Sequence, residues 1–436
     1  MLFQTAMPFH TDGMKRLVKL FIPRFVLNWY HLSLAYVGAF LYRQPSHSLT
    51  VIGVTGTKGK STTAELLWAI LTQAGYTVAL ASTIRFAIGD KSERNLFKMT
   101  MPGRFFLQRF LRKALDAGAT HAVIEMTSEG ARQFRHKGIE LDALVFTNLA
   151  PEHIESHGGL EQYVAAKLSL AEHVATSSKR PRITVANADD AYGKKFLAVD
   201  ADIRTPFSLQ DAEPYTADDR SVRFVWRGTF FTLPLPGVFN LKNALAALCV
   251  GEALGVPVGV MQKALEHIPP VAGRAERVER GQHFAVIVDY AHTPDSLKAL
   301  YETYHKPPTE TTPPARIIGV LGSTGGGRDT WKRPEMGALA EEYCDVAILT
   351  NEDPYDEDPQ KIVGELAKGF NTKRPVIELD RRLAIARALR EAKDGDSVLI
   401  TGKGTDPYIM GPHGSREVWS DKSVAEEELE KLGYTK

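Results

Sequence analysis

The sequence predicts an α/β protein with a central parallel sheet, and three observations support this prediction. After about Ser46, apolar runs of strand length alternate with helical patterns, as in a doubly wound parallel sheet. Glu125, Asn148 and Asn187 each follow such an apolar run, at the sheet edge where these folds place their sites. A second series of alternating patterns begins near Pro270. We therefore expect two α/β domains.

Residues 1–47 predict a short apolar helical segment. Residues 25–42 carry no formal charge, and basic residues flank them. Three interpretations stay open: a helix packed on the following domain, a helix in contact with a membrane surface, or a membrane-spanning helix. Asn28, His31 and Ser33 argue against spanning, so packing is favoured. No small-residue cleavage site follows the apolar run, so a signal peptide is not expected.

The remainder of the chain predicts two domains. Residues 48–270 would form a central domain with a parallel sheet of the P-loop type, which changes to short β-like runs at residues 207–236. Residues 271–436 would form a smaller, Rossmann-like α/β domain. The Pro-rich stretch 305–316 predicts a surface loop.

Composition excludes some classes of partner. The chain has 53 basic and 52 acidic residues and a formal net charge of +1, so bulk electrostatics predicts no nucleic-acid partner. Cys249 and Cys344 lie in apolar helical patterns without zinc-ribbon spacing. We interpret them as reduced packing residues, which fits a cytoplasmic protein.

A Gly-rich turn, GVTGTKGKSTT at residues 53–63, joins a predicted strand to a helix expected over residues 64–74. It misses the strict Walker A spacing by one residue, because Val54 stands where a glycine is needed. The turn nevertheless has the features that bind phosphate. Its glycines let the backbone approach an anion, and the following helix directs free N–H groups at that anion. Lys60 would lie beside the phosphates, and Ser61 would offer a hydroxyl to Mg²⁺. The turn therefore predicts a nucleotide phosphate site.

Nine further motifs follow this turn in order. They are VIEMTSEG, VFTNLAPEHIESHG, YVAAKLSL, GVFNLKNALAAL, AGRAERV, VDYAHTPDSL, GGGRDTWKRPEMG, TNEDPYDEDP and ITGKGTDPY. Over about residues 49–410 the sequence thus resembles the Mur ligase family of ATP-dependent amide ligases. The motifs DYAHTPDSL, RDTWKRPEMG and GKGTD are most similar to its tripeptide synthetase (MurE) branch.

The resemblance implies a two-step reaction in peptidoglycan precursor synthesis. A substrate carboxylate attacks the γ-phosphate of ATP and forms an acyl phosphate, and the amine of an amino acid then displaces phosphate to form an amide. Expected ligands are ATP, two Mg²⁺ ions, a muramyl-peptide-like substrate and an amino acid, and a monomer is expected. Two alternatives stay open: another amide ligase of the family, of the folylpolyglutamate or poly-γ-glutamate type, or a non-catalytic ATP-binding scaffold.

The resemblance also implies which residues bind ATP and Mg²⁺. Those expected at ATP are Gly56, Thr57, Lys58, Gly59, Lys60, Ser61, Thr62, Asn240, Asn243, Arg274, Asp289 and His292. Those expected at Mg²⁺ are Ser61, Glu125, His153 and Lys167, and the last three are expected to be catalytic together with Lys60. In the family, the lysine at the place of Lys167 is carbamylated by CO₂, which turns a cation into an anion that can orient Mg²⁺. Taken alone, it would be a solvated helix lysine. His157 is equally available near His153, and Asn240 would also suit a helix cap.

Two groups of residues are expected to bind the reacting partners. Those facing the muramyl peptide would be Thr100, Thr127, Ser128, Gln133 and Arg135. Those at the amino acid would be Arg328, Asp353, Tyr355, Gly402 and Asp406. Relatives that add meso-diaminopimelate carry Asp-Asn-Pro-Arg where this chain has the sequence 352–355, EDPY. Loss of that arginine disfavours a second carboxylate on the amino acid, and the two acidic residues favour L-lysine or another basic amino acid.

The N-terminus departs most from the family pattern. Family members carry a separate N-terminal domain that binds uridine diphosphate, whereas about 48 residues precede the phosphate turn here. We therefore expect that domain to be absent. The substrate could be a muramyl peptide without its nucleotide, a lipid-linked peptide near the membrane, or another acyl acceptor. If the C-terminal residues reach ATP, closure of the C-terminal domain should gate turnover.

Overall fold

The computed structural model describes residues 23–152, 154–305, 315–327 and 329–435. The predicted site residues His153 and Arg328 lie outside the described residues, as does most of the predicted Pro-rich loop.

The helix α1 (Arg24–Leu41) packs on the central domain through small side chains. Ala35 and Ala39 are buried, and a Cβ at Gly138 would lie only 2.9 Å from the Cβ of Ala39. The close approach needs small residues on both sides, because larger ones would separate the backbones. The helix therefore packs on the domain that follows, as favoured above.

The outer face of α1 exposes large apolar side chains. Phe25, Trp29 and Phe40 are 74, 72 and 77% exposed. Among the described residues, no helix is long and apolar enough to cross a membrane, so the spanning interpretation of residues 25–42 is wrong.

The central domain is built on a sheet of eight strands within the described residues, in the order β4-β3-β2-β5-β1-β6-β7-β8. The strands are β1 (Thr50–Thr55), β2 (Val78–Ala81), β3 (Arg85–Ile88), β4 (Lys91–Arg94), β5 (His121–Glu125), β6 (Ala143–Phe146), β7 (Ile183–Asn187) and β8 (Ile203–Phe207). All pair in parallel except β3 and β4, which form an antiparallel edge. Val51 packs into the core on one face and Ile52 into the core on the other. Burial on both faces explains why the inner strands are largely apolar, whereas the edge strand β4 is polar and mostly exposed.

Helices cover both faces of this sheet. They are α2 (Lys60–Gln73), α3 (Arg104–Asp116), α4 (Ser128–Arg132), α5 (Ile154–His157), α6 (Leu160–Ala175), α7 (Gly193–Leu197), α8 (Val238–Ala253) and α9 (Val258–Glu266). The β-like runs at residues 207–236 form a separate antiparallel sheet of β9 (Tyr215–Ala217), β10 (Val222–Trp226) and β11 (Thr229–Leu233).

The C-terminal domain has a second, smaller sheet, in the order β12-β13-β17-β14-β15-β16 within the described residues. Its strands are β12 (Glu276–Arg277), β13 (Ala285–Val288), β14 (Ile317–Leu321), β15 (Val346–Leu349), β16 (Val376–Ile377) and β17 (Ser397–Ile400). Strand β12 is antiparallel to β13, and the other pairs are parallel. The predicted fold class is confirmed: two α/β sheet domains preceded by a helix.

The other elements of this domain are helices and one hairpin. They are α10 (Pro294–Tyr304), α11 (Lys332–Tyr343), α12 (Pro359–Ala367), α13 (Arg381–Glu391), α14 (Asp421–Lys431), β18 (Tyr408–Met410) and β19 (Arg416–Val418). Short 3₁₀ helices occur at Pro45–Ser48, Leu209–Ala212 and Pro412–Gly414. Cys249 and Cys344 are buried and not joined in a disulfide, which confirms their interpretation as packing residues.

His136 is buried and 1% exposed, two residues before Gly138, which contacts α1. Neither of its ring nitrogens has a hydrogen-bond partner among the described residues, and the ring of His173 lies 4.9 Å away. Burial first, and then the neighbouring His173, lower the pKa of His136 well below its usual value. Acid should therefore destabilise the protein through this residue, because the unfolded chain binds a proton that the folded chain refuses.

We expect the free energy of unfolding to fall as pH drops below about 6.5, by up to about 1.4 kcal/mol per pH unit for a histidine that stays neutral when folded. The substitution His136→Phe should reduce this loss. Urea denaturation at pH 7.5 and 5.5 measures it, with the exposed His413→Phe as the control. An unchanged pH dependence in His136→Phe would contradict the prediction.

Candidate active site

The phosphate turn joins β1 to α2 and is shaped by two glycines. Gly56 has φ +146° and Gly59 has φ +81°. A Cβ would lie 1.9 Å from Oγ1 of Thr147 at the first position, and 2.2 Å from Oδ1 of Asn243 at the second. Only glycine fits such approaches. Helix α2 begins at Lys60 rather than at residue 64, so its free N–H groups start immediately after the turn.

Two lysines converge on this turn, the half-buried Lys60 and the buried Lys167. Nζ of Lys60 donates to the carbonyls of Gly56, at 3.0 Å, and Thr57, at 2.8 Å. Nζ of Lys167, from α6, donates to the same Gly56 carbonyl at 2.7 Å. Burial lowers the pKa of Lys60. Burial first, and the charge of Lys60 second, lower the pKa of Lys167 well below its usual value.

Glu125 ends β5 and is fully buried. Its Oε1 accepts from the backbone N–H of Thr83 and its Oε2 from the Thr83 hydroxyl, both at 2.9 Å. The same hydroxyl lies 2.7 Å from Oγ1 of Thr100. Thr83 therefore connects a carboxylate expected at Mg²⁺ with a hydroxyl expected at the peptide substrate.

The donors near the turn fit a hard cation. Among the described residues, no group of three His, Cys, Asp or Glu side chains could hold a metal by itself, and His153 lies outside them. The carboxylate of Glu125 and the hydroxyl of Ser61 are nonetheless oxygen ligands of the kind Mg²⁺ takes beside phosphate oxygens and water.

A carboxylate that the sequence did not single out, Glu152, bridges the two domains. Its Oε1 lies 3.0 Å from Nζ of Lys58 and 2.9 Å from Nε2 of His292. Glu152 thus pairs with Lys58 of the phosphate turn. Burial first, and then the charge of Lys58, lower the pKa of His292 to about 4, while the contact with Glu152 opposes that shift.

The segment between the domains also reaches the phosphate turn. Nη2 of Arg274 donates to the Ser61 hydroxyl at 3.2 Å. Asp289 fixes this segment, because its carboxylate accepts from the backbone N–H groups of Ala275 and Ala291, each at 2.6 Å. Burial raises the pKa of Asp289, and Arg274 opposes the rise. The structure thus places Arg274, Asp289 and His292 beside the turn.

A cavity of about 420 Å³ opens between these groups, a size typical of small-molecule sites. Lys58, Gly59, Thr62, Asn243, Arg274 and Asp289 are among the residues that line it. Asn240 donates to the carbonyl of Pro236 at 2.8 Å and accepts from Nδ2 of Asn243 at 3.2 Å. The cap of α8 is Gly237, so a capping role for Asn240 is wrong.

Two of the residues expected at the muramyl peptide, Thr127 and Arg135, contact Met101, which follows Thr100. Thr127 caps α4 by accepting from the N–H of Gly130 at 3.0 Å, and Ser128 is buried in the first turn of that helix. Arg135 donates to the carbonyl of Met101 and, at 2.7 Å, to Oε1 of Gln133. The structure brings these side chains together on the side of Thr100.

Of the residues expected at the amino acid, the described ones, Asp353, Tyr355, Gly402 and Asp406, follow the ends of β15 and β17. Asp353 accepts from Nζ of Lys98 at 2.5 Å, from Nζ of Lys403 at 2.8 Å and from the N–H of Met410 at 2.8 Å. Nζ of each lysine also lies 3.3 Å from Oδ2 of Asp406.

Glu352 is buried and accepts from the Thr324 hydroxyl at 2.8 Å. It lies beneath Gly402, where a Cβ would be 2.2 Å from its Oε2. Glu352 and Asp353 therefore do not form the open acidic pair on which the interpretation of a basic amino acid depends. Tyr355 has φ +53°, and its N–H donates to the carbonyl of Met410 at 3.1 Å.

The fold and this site define an ATP-dependent ligase whose C-terminal domain meets the phosphate turn. The Mur ligase middle domain matches residues 54–251, and the Mur ligase, glutamate ligase domain matches residues 273–404. The chain belongs to the Mur ligase family, ATP-dependent amide ligases of peptidoglycan precursor synthesis. The family implies ATP and Mg²⁺ as ligands.

Relatives support this at the level of sequence. The chain is 38% identical to a UDP-N-acetylmuramyl-tripeptide synthetase of Roseiflexus sp. (strain RS-1), over 92% of this chain and 83% of that protein. It is 33% identical to a UDP-N-acetylmuramoyl-L-alanyl-D-glutamate–2,6-diaminopimelate ligase of Geobacillus kaustophilus (strain HTA426), over 92% and 83%.

Solved structures show the same fold. A UDP-N-acetylmuramoyl-L-alanyl-D-glutamate–2,6-diaminopimelate ligase is similar with a TM-score of 0.59 and 28% identity, over 89% of this chain and 79% of that one. A Mycobacterium tuberculosis folylpolyglutamate synthase complexed with ADP has a TM-score of 0.69 at 17% identity, over 91% and 96%. The second likeness concerns the fold alone.

Proposed function

We propose that this ligase joins a diamino acid to the terminal carboxylate of a muramyl dipeptide through an acyl phosphate. The observation that carries the proposal is the Thr83 bridge, which connects Glu125 with Thr100 through contacts of 2.7 to 2.9 Å. This contact supports the proposal because Thr100, expected at the peptide, would lie beside the carboxylate expected at Mg²⁺. The relatives named above as 2,6-diaminopimelate ligases support a diamino acid as the incoming substrate.

The roles of the chain's residues follow from their positions. The turn N–H groups and Lys60 would neutralise phosphate charge, and Ser61 and Glu125 would hold Mg²⁺ together with His153. Bound Mg²⁺ would supply a Lewis acid beside the transferred phosphoryl group. Arg274 would complete the site when the domains meet, because it already contacts Ser61.

The carbamate on Lys167 is part of the proposal. Lys167 is 2% exposed, and its lowered pKa favours the neutral amine, which is the form that attacks CO₂. The reaction forms an N–C bond, releases one proton and leaves an anion beside Lys60. The negative carbamate would then attract the positive charge of Lys60, which the neutral amine does not do.

Contact of α1 with a membrane surface stays a prediction, supported by its exposed aromatic side chains. A monomeric state, the domain boundary at residue 270 and the presence or absence of uridine diphosphate on the acceptor stay predictions as well.

A phosphate-release assay tests the function. We expect release that requires ATP, Mg²⁺, a muramyl dipeptide and a diamino acid together, with the dipeptide offered with and without uridine diphosphate. The amino-acid panel would contain L-lysine, 2,6-diaminopimelate, L-alanine and L-glutamate. If no amino acid of the panel supported phosphate release, the proposal would be contradicted. Phosphate release that requires a folate acceptor would favour the folylpolyglutamate alternative.

A further inference from the structure

Lys98 joins the two domains at the expected amino-acid pocket. It lies in the loop between β4 and α3, two residues before Thr100, and has φ +53°. Lys98 belongs to the central domain, but its Nζ contacts two carboxylates of the C-terminal domain, Asp353 at 2.5 Å and Asp406 at 3.3 Å. Nearby, Arg94 donates to the carbonyl of Thr405 at 2.7 Å, so the strand before this loop also contacts the pocket.

The ion-paired cluster of Asp353, Asp406, Lys403 and Lys98 is balanced in charge because Lys98 is present. Asp353 and Asp406 supply two negative charges, and Lys403, whose side chain is 1% exposed, supplies one positive charge from within the C-terminal domain. Lys98 supplies the second. Without it, the cluster would hold two carboxylates and a single ammonium.

This cluster is shielded from solvent. The side chain of Asp353 is 4% exposed, that of Asp406 12% and that of Lys98 19%. Burial opposes the charge of Lys98, but Asp406 and Asp353 outweigh it and raise the pKa of Lys98. Charges that are partly removed from water interact more strongly than surface pairs do, so one charge more or less should change what the pocket accepts.

We propose that Lys98 is a specificity-determining residue, which supplies from the central domain the cation that lets the pocket accept an amino acid whose distal end carries both an ammonium and a carboxylate. This inference rests on the proposed function. A neutral cluster with both signs of charge can pair with both groups of such an end, whereas a cluster with an excess carboxylate would repel the distal carboxylate and favour a lone ammonium.

Meso-2,6-diaminopimelate and L-lysine test this directly, because lysine lacks only the distal carboxylate. The amide-forming assay would give kcat/KM for both with the wild-type enzyme, with Lys98→Met and with Lys98→Arg. We expect Lys98→Met to lower the ratio of diaminopimelate to lysine at least tenfold, and Lys98→Arg to keep it within about threefold, because the arginine retains the charge. Lys91→Met, an exposed lysine on β4, is the control.

A purely structural role would lower kcat/KM for both amino acids by the same factor. That result, or a ratio within twofold of wild type in Lys98→Met, would overturn the inference. Calorimetry with both amino acids in the presence of a non-hydrolysable ATP analogue gives the ratio of their binding affinities without turnover, which we expect to fall in Lys98→Met as well. If the wild-type enzyme used only a different amino acid, the inference would be overturned although the protein would still be an amide ligase. If no amino acid caused phosphate release, the proposed function itself would be wrong.

Discussion

Lys60→Met is expected to lower kcat/KM by a factor of about 10² to 10³, or about 3 to 4 kcal/mol of transition-state stabilisation. Lys60 begins α2, and its Nζ lies over the carbonyls of the phosphate turn at 2.8 and 3.0 Å. A methionine keeps the stem but removes the only charge that this side chain can bring to the phosphates. Steady-state kinetics measures the loss, and thermal unfolding checks that the variant is folded.

The same turn offers a matched control in Lys58. Its Nζ already pairs with Glu152 at 3.0 Å, so its charge is directed at the domain interface. We expect Lys58→Met to lower kcat/KM about tenfold and to act through the meeting of the domains. Equal losses in the two variants would contradict this division of roles, as would a Lys60→Met enzyme that keeps more than a tenth of its activity.

Local sequence signals were enough to predict the sheets and the phosphate turn. The inner strands are buried on both faces and are therefore largely continuous apolar runs, and the polar residues at their ends share one edge of the sheet. Glu125 illustrates this, because it follows the run HAVI directly and lies at the end of β5. Its role at Mg²⁺ came from the family resemblance and stays a proposal.

Contacts between distant segments could not be predicted in this way. Lys58 and Glu152 are 94 residues apart, and Lys98 and Asp353 are 255 apart. A lysine in a loop gives no sequence signal of the carboxylate that it meets after folding. For the same reason the pair at 352–353 suggested an open acidic pocket, although Lys98 and Lys403 already neutralise Asp353.

Three contacts between the domains border the expected ligand sites. Glu152 links the phosphate turn to His292, and Arg274 links the inter-domain segment to Ser61. Lys98 links the peptide side to the amino-acid side. Each expected ligand is therefore bordered by a contact that exists only when the two domains meet, which is the arrangement expected if closure completes the site.

Lys167→Ala is expected to lower kcat by a factor of about 10³, because the variant cannot form the carbamate that is proposed to act in the site. Lys167 lies wholly within the protein, with its Nζ 2.7 Å from the Gly56 carbonyl. The alanine variant lacks the amine on which a carbamate would form. It also leaves a cavity beside Lys60 where the rest of the lysine side chain was.

Short carboxylates should refill that space. Adding millimolar formate, acetate or propionate is expected to restore part of the activity of Lys167→Ala, because a free carboxylate can take the place of the carbamate. Lys167→Met is the matched control: it also lacks the amine, but its side chain occupies the space, so the same anions should not restore activity. If Lys167→Ala kept full activity, or if carboxylates restored both variants equally, the carbamate proposal would be wrong. Wild-type activity should in addition decline in buffers freed of CO₂ and recover with bicarbonate, since the modification forms reversibly from a buried amine whose pKa is lowered.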